Sequence, residues 1–228
     1  AVIELVDRLH RELDSGETPF TVFLDLSKAF DTLDHTILLS KLEHYGVRSN
    51  ALDWFKDYLC CRMQYVVFKE SSSPLQAIQT GVPQGSVLGP LLFLIYMNDI
   101  STVSKRFASI LFADDTSLES SMCTFSVGIN PSLTDVSSEI NLELRKITEW
   151  LSANKLSLNV KKTKFMIFSY NQKRLISSMI PDIKINDEPI QRVTHFDFLG
   201  ITIDENLKWN MHTAKISSIE GKEFIFSA

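Results

Sequence analysis

Val2, Val6, Leu9 and Leu13 recur at helical spacing and Ser15-Gly16 breaks the run, so the chain is expected to open on an amphipathic helix. FTVFLDL, residues 20–26, is aromatic and β-branched, which predicts a buried strand. Asp34 is placed to cap a helix carrying Leu38, Leu42 and Tyr45, with Gly46 as its stop. A shorter helix with Leu52, Phe55 and Leu59 follows. QYVVF and LQAIQT then read as a hairpin around Ser71-Ser72-Ser73-Pro74. TGVPQGSVLGP is a Gly/Pro-rich loop feeding an apolar helix from about Leu91.

SILFADDTSL, residues 109–118, reads as strand, turn, strand with Asp114 and Asp115 at the turn. A polar linker is expected over roughly 120–133. Ser132 with Asp135 predicts a capping box before a helix that turns Val136, Ile140, Ile147 and Leu151 inward. KTKFMIF, residues 162–168, is a further strand, and from Ile183 short strands alternate with turns, FDFLGITID among them. The main elements run strand, helix, strand, strand, helix, strand. That order predicts an α+β, ferredoxin-like (split βαβ) fold, with two helices and a hairpin inserted after the first strand. Such a topology brings Asp25, near the end of the first strand, to the same sheet edge as Asp114 and Asp115.

Composition narrows the class. With 228 residues, 44% hydrophobic and 22% charged, the chain can build one large core. Cys60, Cys61 and Cys123 are odd in number and lack C-x-x-C spacing, which argues against a disulfide framework or zinc site and predicts a reducing, intracellular setting. The most apolar run, Leu91 to Met97, is too short to span a bilayer, so no membrane partner is expected. The first sixteen residues carry charges throughout and lack a signal-peptide layout. A net charge of −5 counts against a free-standing nucleic-acid binder.

Three carboxylates at one sheet edge need a compensating cation. Few, hard oxygen ligands suit Mg²⁺, which shares its remaining positions with substrate phosphates, and two such ions about 3.5–4 Å apart serve phosphoryl transfer. The plain alternative is a solvated hairpin turn, with Asp25 as a helix-cap or salt-bridge partner. Asp14-Ser15-Gly16 matches the aspartic-protease triplet but falls at a helix end; the five histidines show no ligand spacing.

FLDLSKAFDTLDH, TGVPQGSVLGPLLFLIYMNDI, LFADDTSL, LSLNVKKTKFMIF and FDFLGITID resemble, in order, the palm motifs of reverse transcriptases, those of non-LTR (LINE-like, jockey-like) retrotransposons above all. The resemblance covers about residues 1–210. It implies Asp25 and Asp114 as bridging metal ligands, the Leu26 carbonyl assisting and Asp115 contributing more weakly. It implies Phe30 as the bulky residue against the sugar 2′ position, and Gln84 with Gly85 as the lining of the nucleotide and template site. It implies Lys162 as proton donor to pyrophosphate, with Lys161 and Lys164 as competing registers, and Phe198-Leu199-Gly200 as the primer-gripping hairpin. By residue chemistry alone Phe30 also reads as core, Pro83-Gln84-Gly85 as a loop-to-helix turn, the lysines as a solvated stretch and Phe198-Leu199-Gly200 as a simple β-turn.

The activity so implied is RNA-directed DNA polymerisation: two-metal (Mg²⁺, Mn²⁺ as substitute) transfer from a dNTP to a DNA primer 3′-hydroxyl on an RNA template. The implied domains are a palm over 1–170 without the fingers motifs, the end of the palm with its primer-grip hairpin over 171–210, and a truncated or atypical start of the thumb over 211–228. Fingers, thumb and endonuclease segments are expected in the full-length element, and nuclear action follows from the resemblance alone. A second reading is a non-catalytic retrotransposon remnant that binds protein or RNA. A third, another palm enzyme such as a nucleotide cyclase, leaves Gln84-Gly85 and the FLGI hairpin without a task.

Overall fold

A computed structural model describes residues 1–83, 85–126, 132–170 and 180–223, with side chains through 218. The architecture is mixed α/β, and its centre is a five-stranded sheet. Strand β1 (Pro19–Leu24) lies in the middle, buried at every position, as its aromatic and β-branched composition requires. On one side it pairs antiparallel with β3 (Asp115–Ser121), which pairs antiparallel with β2 (Ala108–Phe112). On the other it pairs antiparallel with β4 (Lys164–Ile167), to which β5 (Gln191–Arg192) adds in parallel. The spatial order is β5-β4-β1-β3-β2.

Alternation along β1 sends side chains to two cores. Phe20, Val22 and Leu24 face Leu92, Phe93, Tyr96 and Met97 of α4 (Leu88–Met97), and Ile140, Leu144, Ile147 and Leu151 of α5 (Leu133–Ala153). Phe23 faces the other way, with Ile110, Met166 and Phe168, against Leu5 and Leu9 of α1 (Val2–Asp14). The same side is covered by a hairpin of β6 (His195–Phe198) and β7 (Ile201–Asp204), through Phe198 and Ile203. Each fully buried Phe or Leu stabilises by roughly 1.5–3 kcal/mol. The capping box of α5 is formed in both directions between Ser132 and Asp135.

Four expectations shift. The buried stripe of α1 runs through Leu5 and Leu9, with Val2 and Leu13 packed beside them as read; Val6 alone is displaced, about 100° round the helix from Leu5, because the sheet meets the helix along that line. Tyr45 follows α2 (His35–His44) as its C-cap and is exposed, while Leu38 and Leu42 are buried as read. The inserted hairpin turns at Lys69-Glu70, since Val67 pairs with Ser72 and Phe68 with Ser71; Ser71 and Ser72 are strand, and the turn falls where Lys69 takes a φ of 55°. The polar stretch after residue 119 continues β3 to Ser121, and a one-turn helix Met122–Phe125 follows with Phe125 buried, so any linker lies among 127–131, outside the described residues.

After α2 comes α3 (Ser49–Leu59), then that hairpin, whose Met63, Tyr65, Val66, Val67, Phe68 and Leu75 are all exposed. Helix α6 (Asn210–Glu223) closes the described chain. Cys60, Cys61 and Cys123 are free and exposed. Among the described residues no helix is long and apolar enough to cross a membrane.

Candidate active site

The site is built by strand register. Leu24 of β1 pairs with Thr116 of β3, so one step further places Asp25 opposite Asp115, on one face of the sheet. Phe112 pairs with Asp115, leaving Ala113 and Asp114 as a two-residue turn. Ala113 takes φ of 52°, the left-handed conformation such a turn demands and that glycine adopts more readily. Asp25 is half-buried; Asp114 and Asp115 are exposed. Residues far apart in the chain thus share one edge of the sheet.

Their electrostatics show the closeness. The Asp115 carboxyl is pushed above the usual range, first by burial among neighbouring atoms, then by repulsion from Asp114 and from Asp25. Among the described residues no three His, Cys, Asp or Glu side chains form a metal cage by themselves. The donor set is hard carboxylate oxygen under mutual repulsion, which a divalent cation relieves. It fits an ion that completes its coordination with water and substrate oxygens. The Leu26 carbonyl is available to such an ion in one respect. Leu26 bridges Leu158, and the two hydrogen bonds around that bridge use Ser27 N–H with the Ser157 carbonyl and Asn159 N–H with the Asp25 carbonyl. Leu26's own carbonyl is not spent there.

The remaining candidates spread around this edge. The half-buried Phe30 ring lies 4.6 Å from that of Phe93 on α4, so it is anchored in the core. Gly85 has a φ of 80°, and an added Cβ would meet nothing within 4 Å; its need is conformational. Gln84 lies outside the described residues. Lys164 pairs opposite Phe23 and its Nζ donates to Gln191, which leaves Lys161 and Lys162 as the exposed lysines of that stretch. Phe198 is buried with its ring 5.6 Å from that of Phe23, and Leu199 and Gly200, both at positive φ, form the β6–β7 turn.

Two positioning devices carry no clear signal in the sequence. Gly81 N–H donates to the Leu33 carbonyl at 2.7 Å and Val82 N–H to the Phe30 carbonyl at 2.9 Å, which lays the loop before Gln84 onto the segment after Asp25. His35 Nε2 lies 2.7 Å from the Gly81 carbonyl, so the imidazole donates there. A Cβ on Gly81 would sit 2.7 Å from the Asp31 carbonyl oxygen, and that close approach is why the position is glycine. The second device is the turn 159–163. Its only hint in the sequence is Asn and Thr flanking the lysines.

Comparison with known proteins supplies the family. The description "Reverse transcriptase (RNA-dependent DNA polymerase)" matches residues 6–203, and the chain belongs to that family. Its relatives include the probable RNA-directed DNA polymerase from transposon X-element of Drosophila melanogaster, 28% identical over 92% of this chain and 23% of the relative. The RNA-directed DNA polymerase from mobile element jockey of the same species is 26% identical, over 92% and 23%. The Pol polyprotein of retrotransposable element R2 from Popillia japonica is 23% identical, over 82% and 31%. This is a reverse transcriptase domain homologous to the RNA-directed DNA polymerases of non-LTR retrotransposons. The chain spans about a quarter of the length of the first two. Among solved structures, telomerase from Candida albicans, in complex with a TWJ fragment of telomeric RNA, matches 91% of this chain and 34% of its own at 14% identity and a TM-score of 0.58. Apo telomerase from Candida tropicalis matches 91% and 39% at 13% and 0.57. The likeness is one of fold, and the sheet-and-helix architecture is consistent with a polymerase palm. The family generally uses divalent metal ions.

Proposed function

We propose that this segment is the palm of a non-LTR retrotransposon polymerase that copies an RNA template by extending a DNA primer with deoxynucleoside triphosphates. The register that sets Asp25 opposite Asp115, with Asp114 in the adjoining turn, carries the reading. The order β4-β1-β3-β2, antiparallel throughout, supports the ferredoxin-like assignment within it. Residues 1–170 form the palm in this reading, 171–210 its end with the primer-gripping hairpin, and 211–228 the approach to the thumb.

Asp25, Asp114 and the Leu26 carbonyl are the groups to hold two Mg²⁺ ions, with Asp115 beside them. When bound, those ions supply the Lewis acidity for attack of the primer 3′-hydroxyl on the α-phosphorus and for departure of pyrophosphate. The protein's own work is alignment. Two opposed strands and a two-residue turn fix the carboxylates before substrate arrives. Phe30, fixed against Phe93, is a rigid wall for the sugar. Gly85 and Gln84 line the base and template side, and Lys162 is the proton source for pyrophosphate. Phe198, wedged on Phe23 two residues before Asp25, ties the hairpin that grips the primer to the strand bearing the first carboxylate.

Primer extension on an RNA template, by the longer polypeptide carrying this segment, tests the reading. Asp25→Asn and Asp114→Asn are each expected to lower extension by about 10²- to 10³-fold, the scale of losing one preorganised electrostatic group. Extension that persists in either variant refutes the mechanism, and Mg²⁺-dependent nucleotide binding absent from the parent favours a non-catalytic remnant.

A further inference from the structure

Beside Asp25 the β1–β4 ladder is broken. Phe23 pairs with Lys164 and Leu26 with Leu158, so three steps along one strand are matched by six along the other. The surplus is taken up in a turn, where Thr163 N–H and Lys162 N–H both return to the Asn159 carbonyl, at 2.9 and 3.1 Å. Such a break would leave the Asp25 peptide without ladder partners on that side.

The turn itself replaces them. Asp25 N–H donates to Thr163 Oγ1 at 3.3 Å. The Asp25 carbonyl accepts from Asn159 N–H at 2.8 Å. Thr163 Oγ1 in turn donates to the Asn159 carbonyl at 3.0 Å. A hydroxyl has one proton and two lone pairs, so donation to Asn159 commits the proton and aims a lone pair at Asp25. Thr163 is fully buried, so solvent cannot take over the acceptor's role.

We propose that Thr163 is a positioning residue for Asp25: its buried hydroxyl, oriented by the Asn159 carbonyl, holds the Asp25 backbone so that the carboxylate meets a divalent ion without rearranging. This rests on the reading of Asp25 as a metal ligand. Thr163 touches neither metal nor substrate. It acts through the backbone torsions of Asp25, which set the direction of its Cα–Cβ bond. Side-chain identity at 163 then controls metal affinity separately from fold stability. Serine at 163 keeps the clamp; valine, of similar shape, removes it.

The test is titration of Mn²⁺ into the 228-residue chain, the free ion read by electron paramagnetic resonance, alongside thermal unfolding of each variant. Thr163→Val is expected to weaken Mn²⁺ binding roughly three- to tenfold, the effect of one lost hydrogen bond. Thr163→Ser is expected to restore binding to within about twofold of the parent even though it loses a packed methyl and some stability. A Thr163→Val chain that melts earlier but binds Mn²⁺ like the parent overturns the inference, as does a serine variant as weak as valine. Asp25→Asn separates the levels. If it also binds like the parent, the metal reading itself fails; if it abolishes binding while Thr163→Val does nothing, only the clamp fails. Should Thr163→Val not fold, amide exchange in the parent decides: a protected Asp25 N–H supports the clamp, and one exchanging at the rate of a free loop amide refutes it.

Discussion

Asp115 and Gly81 show how single residues at the candidate site bear on stability in opposite directions, the first at a cost and the second in its favour. Asp115 has its carboxyl raised by burial and by two neighbouring acids, so the folded chain resists its ionisation. The sign follows from linkage: the penalty is absent at low pH, where the group is protonated in both states, and appears as pH rises above the ordinary carboxylate range. In metal-free buffer at neutral pH, Asp115→Asn is expected to raise Tm by about 1–3 °C, a modest gain because solvent screens an exposed group. The gain should vanish in acid and shrink when Mg²⁺ is added. Gly81→Ala puts a methyl against the Asp31 backbone at a φ of 85°, and is expected to destabilise by about 2–4 kcal/mol in denaturant titration. By itself the double Asp reads equally as a solvated turn. The nearness of the carboxylates was legible from the order of elements, which sets the end of the first strand and the central hairpin turn at one sheet edge. Gly81, His35 and Thr163 were not, since each acts through a partner at least 46 positions away in the chain, a distance over which local pattern carries no signal.

At the scale of elements, α1 is docked on an acid. Glu119 of β3 is 2% exposed, its two oxygens lack hydrogen-bond partners, and Arg8 of α1 comes only within 3.8 Å. Thr21, which pairs with Glu119, and Ser117, two residues along β3, also bury unpartnered hydroxyls. Burial, reinforced by Glu12 and Glu4 of α1 and opposed by Arg8 and Arg11, pushes the Glu119 carboxyl up to about 8. The folded state therefore keeps a proton that the unfolded chain has lost, and stability falls as pH rises from the ordinary glutamate range to about 8. Glu119→Gln is expected to flatten that slope and to gain most at mildly alkaline pH, where the parent has lost the most, by on the order of a few kcal/mol. Denaturant titrations at acidic and mildly alkaline pH check it. The strands and helices themselves were readable from period and caps, as Asp34 and Ser132 illustrate by capping α2 and α5. One position of the α1 stripe was misassigned, because Leu5 and Val6 both satisfy a helical period with Leu9 and only the sheet chooses between them.

At the scale of the whole molecule, the strand order and the family agree with the motif order, since both depend on long, strongly patterned segments. The inserted hairpin was less readable. Its strands are two residues long, and turn chemistry favoured Ser-Ser-Ser-Pro over the Lys69-Glu70 turn that forms. That hairpin decides how the segment behaves in a test tube. Val66 is 68% exposed and Phe68 72%, beside Met63, Tyr65, Val67 and Leu75, on a hairpin whose free strand edges can recruit others. Produced by itself, the chain is expected to scatter light increasingly with concentration, and Val66→Lys with Phe68→Lys to suppress this without altering Tm by more than about 1 °C, both side chains being solvated. The stickiness of the chain by itself would then trace to six side chains of one hairpin rather than to a defect at the carboxylates.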